Sequence, residues 1–163
     1  MSRCPVRVDS NQPEQQAGHD EFPTGQPKVR VADMQAQFFA GCVKVEEDQA
    51  SITVGFADHQ FATKSYLTLQ RTVDCTDSDR RLKLDDIYAE RDDQRWSGYG
   101  GIASCTLQPG LFRIEFNDLG VRQMEGLRST EISFDIAPDQ LESLRAGLRR
   151  CFEDSEKFID HVK

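Results

Sequence analysis

From Met34 onward the apolar residues of this 163-residue chain recur mostly at every second position, the spacing that places them on one face of a β-strand. Ile52, Val54 and Phe56 alternate with small or polar residues in ASITVGFA, and Phe38, Ala40 and Cys42 share one face of a preceding strand. Between them, Glu46-Glu47-Asp48-Gln49 reads as a hairpin turn. Leu67, Leu69 and Val73 in SYLTLQRTV mark another strand, as do Phe112, Ile114 and Phe116 in LFRIEFN, which turns at Gln108-Pro109-Gly110 and Asn117-Asp118 bracket. Further strands are expected over Ile87 to Glu90, Gly101 to Leu107 and Glu131 to Ile136. The links are short and polar, so an antiparallel meander is expected, because parallel neighbours need longer crossovers.

The period changes once. Leu141, Leu144, Leu148, Cys151 and Phe152 fall three and four apart, on one face of a helix that Pro138 opens. Asp139 and Glu142 lie at its positive end and Arg145, Arg149 and Arg150 at its negative end, as the macrodipole favours. A shorter helical turn around Leu119 to Leu127 is weakened by Gly120 and Gly126. The pattern predicts an α+β fold: an antiparallel sheet of about six to eight strands with the amphipathic carboxy-terminal helix packed on one face.

Residues 1–30 follow a different rule. Between Asp9 and Pro27, Gln, Asn, Pro, Gly and single charges dominate, and Phe22 is the one large apolar side chain. Such a stretch cannot bury enough surface to offset its ordering, so residues 1–30 are expected to be a disordered arm and residues 31–163 a single α+β domain.

Charge narrows the partners. Twenty basic and 28 acidic side chains leave a formal net charge of -8, the wrong sign for direct binding of nucleic acid but suited to steering a basic protein. Five scattered cysteines form no even disulfide framework, the opening residues hold no apolar run of a signal peptide, and no stretch approaches the ~18 apolar residues of a membrane span. A cytoplasmic protein with reduced thiols and no membrane partner is expected.

No catalytic constellation stands out. His19, His59 and His161 are not spaced to act together, a Cys75–His59 pair would need an unforeseen tertiary approach, and metal-ligand spacings are missing, so neither cofactor nor metal is expected. The densest feature is DCTDSDRRLKLDDIYAERDD, which carries Asp74, Asp77, Asp79, Asp85, Asp86, Glu90, Asp92 and Asp93. Asp74-x-x-Asp77-x-Asp79 is an incomplete calcium loop without its glycine and closing glutamate. The run reads either as a solvated face or as a recognition surface for a basic protein, with Trp96 and Tyr99 as neighbouring anchors. Glycines in RWSGYGGIAS precede a strand, which suits a bulge or close strand approach better than a phosphate loop.

The succession Gly55-Phe56-Ala57-Asp58, Tyr66-Leu67-x-Leu69-Gln70-Arg71, Tyr88-x-Glu90, Gln94 and Tyr99-Gly100-Gly101-Ile102 resembles the immunity protein 10 family of bacterial polymorphic toxin systems. The final strand and the leucine-striped helix are similar as well, so the resemblance spans Met34 to Phe152. It implies a cytoplasmic antidote, not an enzyme, that occludes a cognate toxin domain whose activity it does not identify. The rival expectation is a small-ligand or hydrolytic enzyme with Tyr88, Glu90 and Tyr99 converging in a pocket between sheet and helix.

Overall fold

The structure, a computed structural model, describes residues 34–82, 84–153 and 155–162. The expected arm, residues 1–30, lies outside the described residues.

Alternation produces ten strands among the described residues. The first, β1 (Met34–Ala40), is followed after Gly41 by β2 (Cys42–Glu47), β3 (Ser51–Ala57), β4 (Tyr66–Thr72), β5 (Tyr88–Arg91) and β6 (Asp93–Tyr99). These five form one antiparallel sheet in the order β2-β3-β4-β5-β6. The chain then crosses at Gly100 and Gly101 into β7 (Ile102–Gln108), β8 (Leu111–Phe116) and β9 (Leu127–Phe134), an antiparallel meander in a second sheet. β1 pairs parallel with β9, and the short β10 (Phe158–Asp160) pairs parallel with β7, giving the order β1-β9-β8-β7-β10.

The α+β class and the mostly antiparallel pairing match the expectation, but the strands divide into two sheets. One 14-residue helix is about 21 Å long, too short to cover the apolar faces of so many strands. Two sheets facing each other cover one another instead. Phe56 of β3 and Phe112 of β8 meet across the interface, within a core that includes Val54, Leu67, Leu69, Leu107, Ile114 and Ile132. The parallel edges escaped the reading of short links because that reading constrains only consecutive strands. Here β1 and β9 are separated by the whole other sheet.

Two boundaries move for the same reason. Cys42 does not continue the strand of Phe38 and Ala40, since Gly41 passes the chain to the other sheet. β9 begins at Leu127, so the expected helical turn is shorter: α2 (Asp118–Gln123), whose first amides Leu119 and Gly120 donate to the Asn117 side chain. A Cβ at Gly101 would lie 2.7 Å from Gly120 Cα, so the sheet-to-sheet crossing and α2 touch backbone to backbone.

The hairpin between β2 and β3 turns at Asp48, whose side chain accepts from the Ala50 and Ser51 amides. A third helix, α1 (Asp77–Arg81), joins β4 to β5, and α3 (Pro138–Cys151) has Pro in its first turn as the sequence indicated. Leu144, Leu148 and Cys151 of α3 are buried, and the helix packs on the core side of β2, β3 and β4 and against β10. Its basic residues do more than meet the macrodipole: Arg145 and Arg149 both donate to Asp160 of β10.

Candidate functional site

With Leu67 and Leu69 turned inward, Tyr66, Thr68 and Gln70 of β4 fall on the outer face of their sheet. Buried Ala89 likewise sets Tyr88 and Glu90 of β5 outward, and the register places Ser97 of β6 beside Glu90 and Tyr99 beside Tyr88. The chain has three tyrosines, and all three therefore share this face. Thr53, Gly55 and Ala57 of β3 continue it across the register with small side chains. α3 lies on the opposite side of the sheet.

Glu90 is its centre. Tyr66 donates its hydroxyl to Glu90 Oε1 and Tyr88 donates to Oε2, both at 2.7 Å, and the Tyr88 and Tyr99 rings lie 5.2 Å apart at 53°. Phenol-to-carboxylate bonds are charge-assisted and hold the rings in place. Burial, followed by the Glu90 hydrogen bond, pushes the Tyr66 phenol well above its usual value. For Tyr88 burial again leads; Ser97 offsets part of the rise and Glu90 adds to it. Both phenols thus remain protonated donors in neutral solution.

The ten residues singled out in the sequence do not form one patch. Glu90 and Tyr99 lie on the tyrosine face. Trp96 falls in the opposite phase of β6, packs partly buried against the core, and has the Arg91 guanidinium 5.3 Å from its ring centroid. Asp92, with φ of 56°, makes the tight turn between β5 and β6; it accepts from the Tyr66 amide and pairs with Arg91. Asp93 pairs with Arg95, which holds its carboxyl below the usual carboxylate range. Asp79 is used in the α1 cap, accepting from the Thr76 amide and hydroxyl, while Asp77 pairs with Arg80. Asp86 accepts from the Ile87 amide and lies 3.5 Å from Lys157. Asp85 and Asp86 line a hollow of about 270 Å³ with Arg71, Ile87, Cys151, Glu153 and Ser155. Asp74, Asp77 and Asp85 are exposed.

The expected pocket between sheet and helix does not hold Tyr88, Glu90 and Tyr99. They do converge, but on the face that α3 does not cover, because strand alternation sends them away from Ala89. Cys75 and His59 are engaged separately, the thiol with the Thr72 carbonyl and the imidazole beside Asp58. Among the described residues no group of three His, Cys, Asp or Glu side chains is arranged to hold a metal ion. Of the RWSGYGGIAS glycines, Gly98 lies within β6 opposite Ala89, while Gly100 and Gly101 make the crossing between sheets; Gly100 has φ of 72° and donates its amide to the Ile87 carbonyl.

Tyr66 was not among the sequence candidates. Its signal was its place in the polar phase of SYLTLQ, the phase in which Tyr88 and Tyr99 also lie in their own strands.

Two packed sheets with α3 on the core side of one of them form an α+β domain, and on the face that α3 does not cover Tyr66 and Tyr88 donate to Glu90 while Tyr99 lies against Tyr88. A family model described as Immunity protein 10 matches residues 39–142, well over half of the sequence. The chain belongs to this immunity protein family. No curated protein matches it. Among the described residues no helix is long and apolar enough to cross a membrane.

Proposed function

We propose that the protein binds a cognate toxin domain and neutralises it by occlusion, using the outer tyrosine face of the β2–β6 sheet and the carboxylates beside it. The observation that carries this reading is the placement of Tyr66, Tyr88 and Tyr99 on one face that α3 does not cover in an immunity-family chain, with two of their hydroxyls fixed by Glu90. Tyrosine supplies large contact area with little side-chain entropy to lose, and aromatic anchors dominate binding energy at protein interfaces.

The segment from Asp74 to Tyr99 holds eight carboxylates against five cations. Several are already paired within the fold, so its part is to steer a basic partner and border the contact, with Asp74, Asp77 and Asp85 the most accessible. Where the toxin's own groove holds phosphates, carboxylates can occupy the same cations. Trp96 supports the face from beneath. The action is stoichiometric and cytoplasmic, without an enzymatic step or cofactor, and resides in residues 31–163.

Expressing a candidate cognate toxin domain in a susceptible cell, with and without this chain, tests the reading. Co-expression of the chain restores growth and the two proteins copurify; continued killing despite folded, abundant chain contradicts it.

A further inference from the structure

Strand register sorts the outer face of the β2–β6 sheet into rows. Gly55, Thr68, Glu90 and Ser97 follow one another across β3, β4, β5 and β6 in a single row. Tyr66 stands in the row on one side, and Tyr88 with Tyr99 in the row on the other, each about 7 Å away along the strands. Because Gly55, Thr68 and Ser97 are small, the middle row is a trough between tyrosine walls with the Glu90 carboxylate on its floor.

Among the described residues this carboxylate has no cationic partner. The neutral Tyr66 and Tyr88 hydroxyls donate to it, one to each oxygen. The cations nearby are committed elsewhere: Arg91 to Asp92 and the Trp96 ring, and Arg95 to Asp93. Lys44 begins the same row on β2, but it lies three strands away, about 14 Å at the strand spacing, and pairs with Glu46. Asp93 and Asp92 add their fields to that of Glu90 in raising the Tyr66 phenol, so the trough is negative. A half-buried carboxylate without a counter-ion is costly, and a cation brought by a partner removes that cost.

We infer, on the reading that this face meets the toxin, that the trough receives an arginine side chain of the toxin, its guanidinium forked onto Glu90 between the tyrosine rings. Chemistry selects arginine over lysine. Each carboxylate oxygen accepts one phenol and retains a second lone pair, so two acceptors side by side remain for the parallel N–H groups of a guanidinium. The guanidinium is also flat, weakly hydrated and able to stack on aromatic rings, whereas an ammonium is a compact, strongly hydrated point charge. Tyr88 and Tyr99 offer such rings at one wall, their centroids 5.2 Å apart. By holding both carboxylate oxygens, the two phenols fix the acceptor before the partner arrives, so little freedom is lost on binding.

Blocked arginine, N-acetyl-arginine amide, is the probe, and blocked lysine is the comparison. All three tyrosines of the chain lie on this face, so their ring signals in NMR of the full chain report on it directly. The arginine probe is expected to shift the Tyr66, Tyr88 and Tyr99 signals at millimolar concentration, and the lysine probe to bind about threefold or more weakly. Glu90→Gln is expected to weaken the arginine probe by about tenfold. Thr68→Lys faces Glu90 in the register and supplies an ammonium from the chain itself, so it weakens the probe likewise; it carries the test if Glu90→Gln fails to fold. Unmoved tyrosine signals overturn the inference, whether the trough refuses the cation or another part of the chain fills it. Equal binding of the lysine probe, or binding that ignores both variants, overturns it too.

Growth rescue by the same variants separates this contact from the toxin reading beneath it. Where the natural chain protects the cell, weaker protection by Glu90→Gln and Thr68→Lys supports the arginine contact, and equal protection overturns it while the toxin reading stands. A natural chain that takes up the arginine probe but protects against no toxin domain overturns the toxin reading, and with it the toxin as source of the arginine.

Discussion

Phe56 on β3 and Phe112 on β8 stack with ring centroids 4.9 Å apart and planes 14° from parallel. Phe134 closes on Phe56 at 6.2 Å, so the two sheets are joined through aromatic rings that solvent hardly reaches. Phe112→Ala is expected to cost about 3–5 kcal/mol, measured by denaturant unfolding, because the close-packed surroundings cannot collapse into the space. A loss below about 1 kcal/mol, well under the range for buried aromatic truncation, would place the main contact between the sheets elsewhere.

The end of the chain is held to α3 by Asp160, whose Oδ2 accepts from Arg145 and Arg149, both at 2.6 Å. Burial pushes this carboxyl up, but the Arg145 bond, the Val162 amide and the Arg149 bond outweigh it, and the net shift is below the ordinary 3.8. A lowered native value means that the contribution to stability is present above about pH 4 and is lost as pH falls through that lowered value. Asp160→Asn is expected to cost about 1–3 kcal/mol at neutral pH. The gap between variant and natural chain should narrow in acid unfolding measurements; a gap that is independent of pH would contradict the ionic account.

Alkaline titration reads the tyrosine face directly. The Tyr66 and Tyr88 phenols are raised above the ordinary 10.0, so the stability they contribute is complete below that pH and is lost as pH rises through their higher native values. Phenolate absorbance of the folded chain should show tyrosines titrating later than free tyrosine. Tyr66→Phe removes the latest step, and Glu90→Gln moves both earlier. If Glu90→Gln leaves the curve unchanged, burial and the other neighbouring groups set these values.

The sequence pattern revealed what depends on local periodicity. The alternation at Ile52, Val54 and Phe56, the turn at Asp48 and the leucine stripe behind Pro138 all have the structure they imply. Hidden from it were the relations set by tertiary pairing. Gly41 and the Gly100-Gly101 step look like ordinary strand glycines, yet they carry the chain between sheets, and β1 and β10 find parallel partners far away in sequence. At the candidate site, the density of carboxylates drew attention to residues that cap α1 or make the β5–β6 turn. The shared phase of the three tyrosines becomes visible only once β4, β5 and β6 are known to be neighbours.

The central claim, a toxin-binding face on the β2–β6 sheet, is tested most directly by the association and dissociation rates of the chain with the toxin domain it is proposed to neutralise. Tyr88→Ala removes an anchor, and a double change of the exposed Asp74 and Asp85 to Lys reverses charge in the acidic segment without touching the α1 cap, the Asp77–Arg80 pair or the β5–β6 turn. The anchor change is expected to speed dissociation by about tenfold or more, and the charge change to slow association and flatten its dependence on salt. Unchanged rates in both correctly folded variants would contradict the claim and place the binding surface elsewhere on the protein.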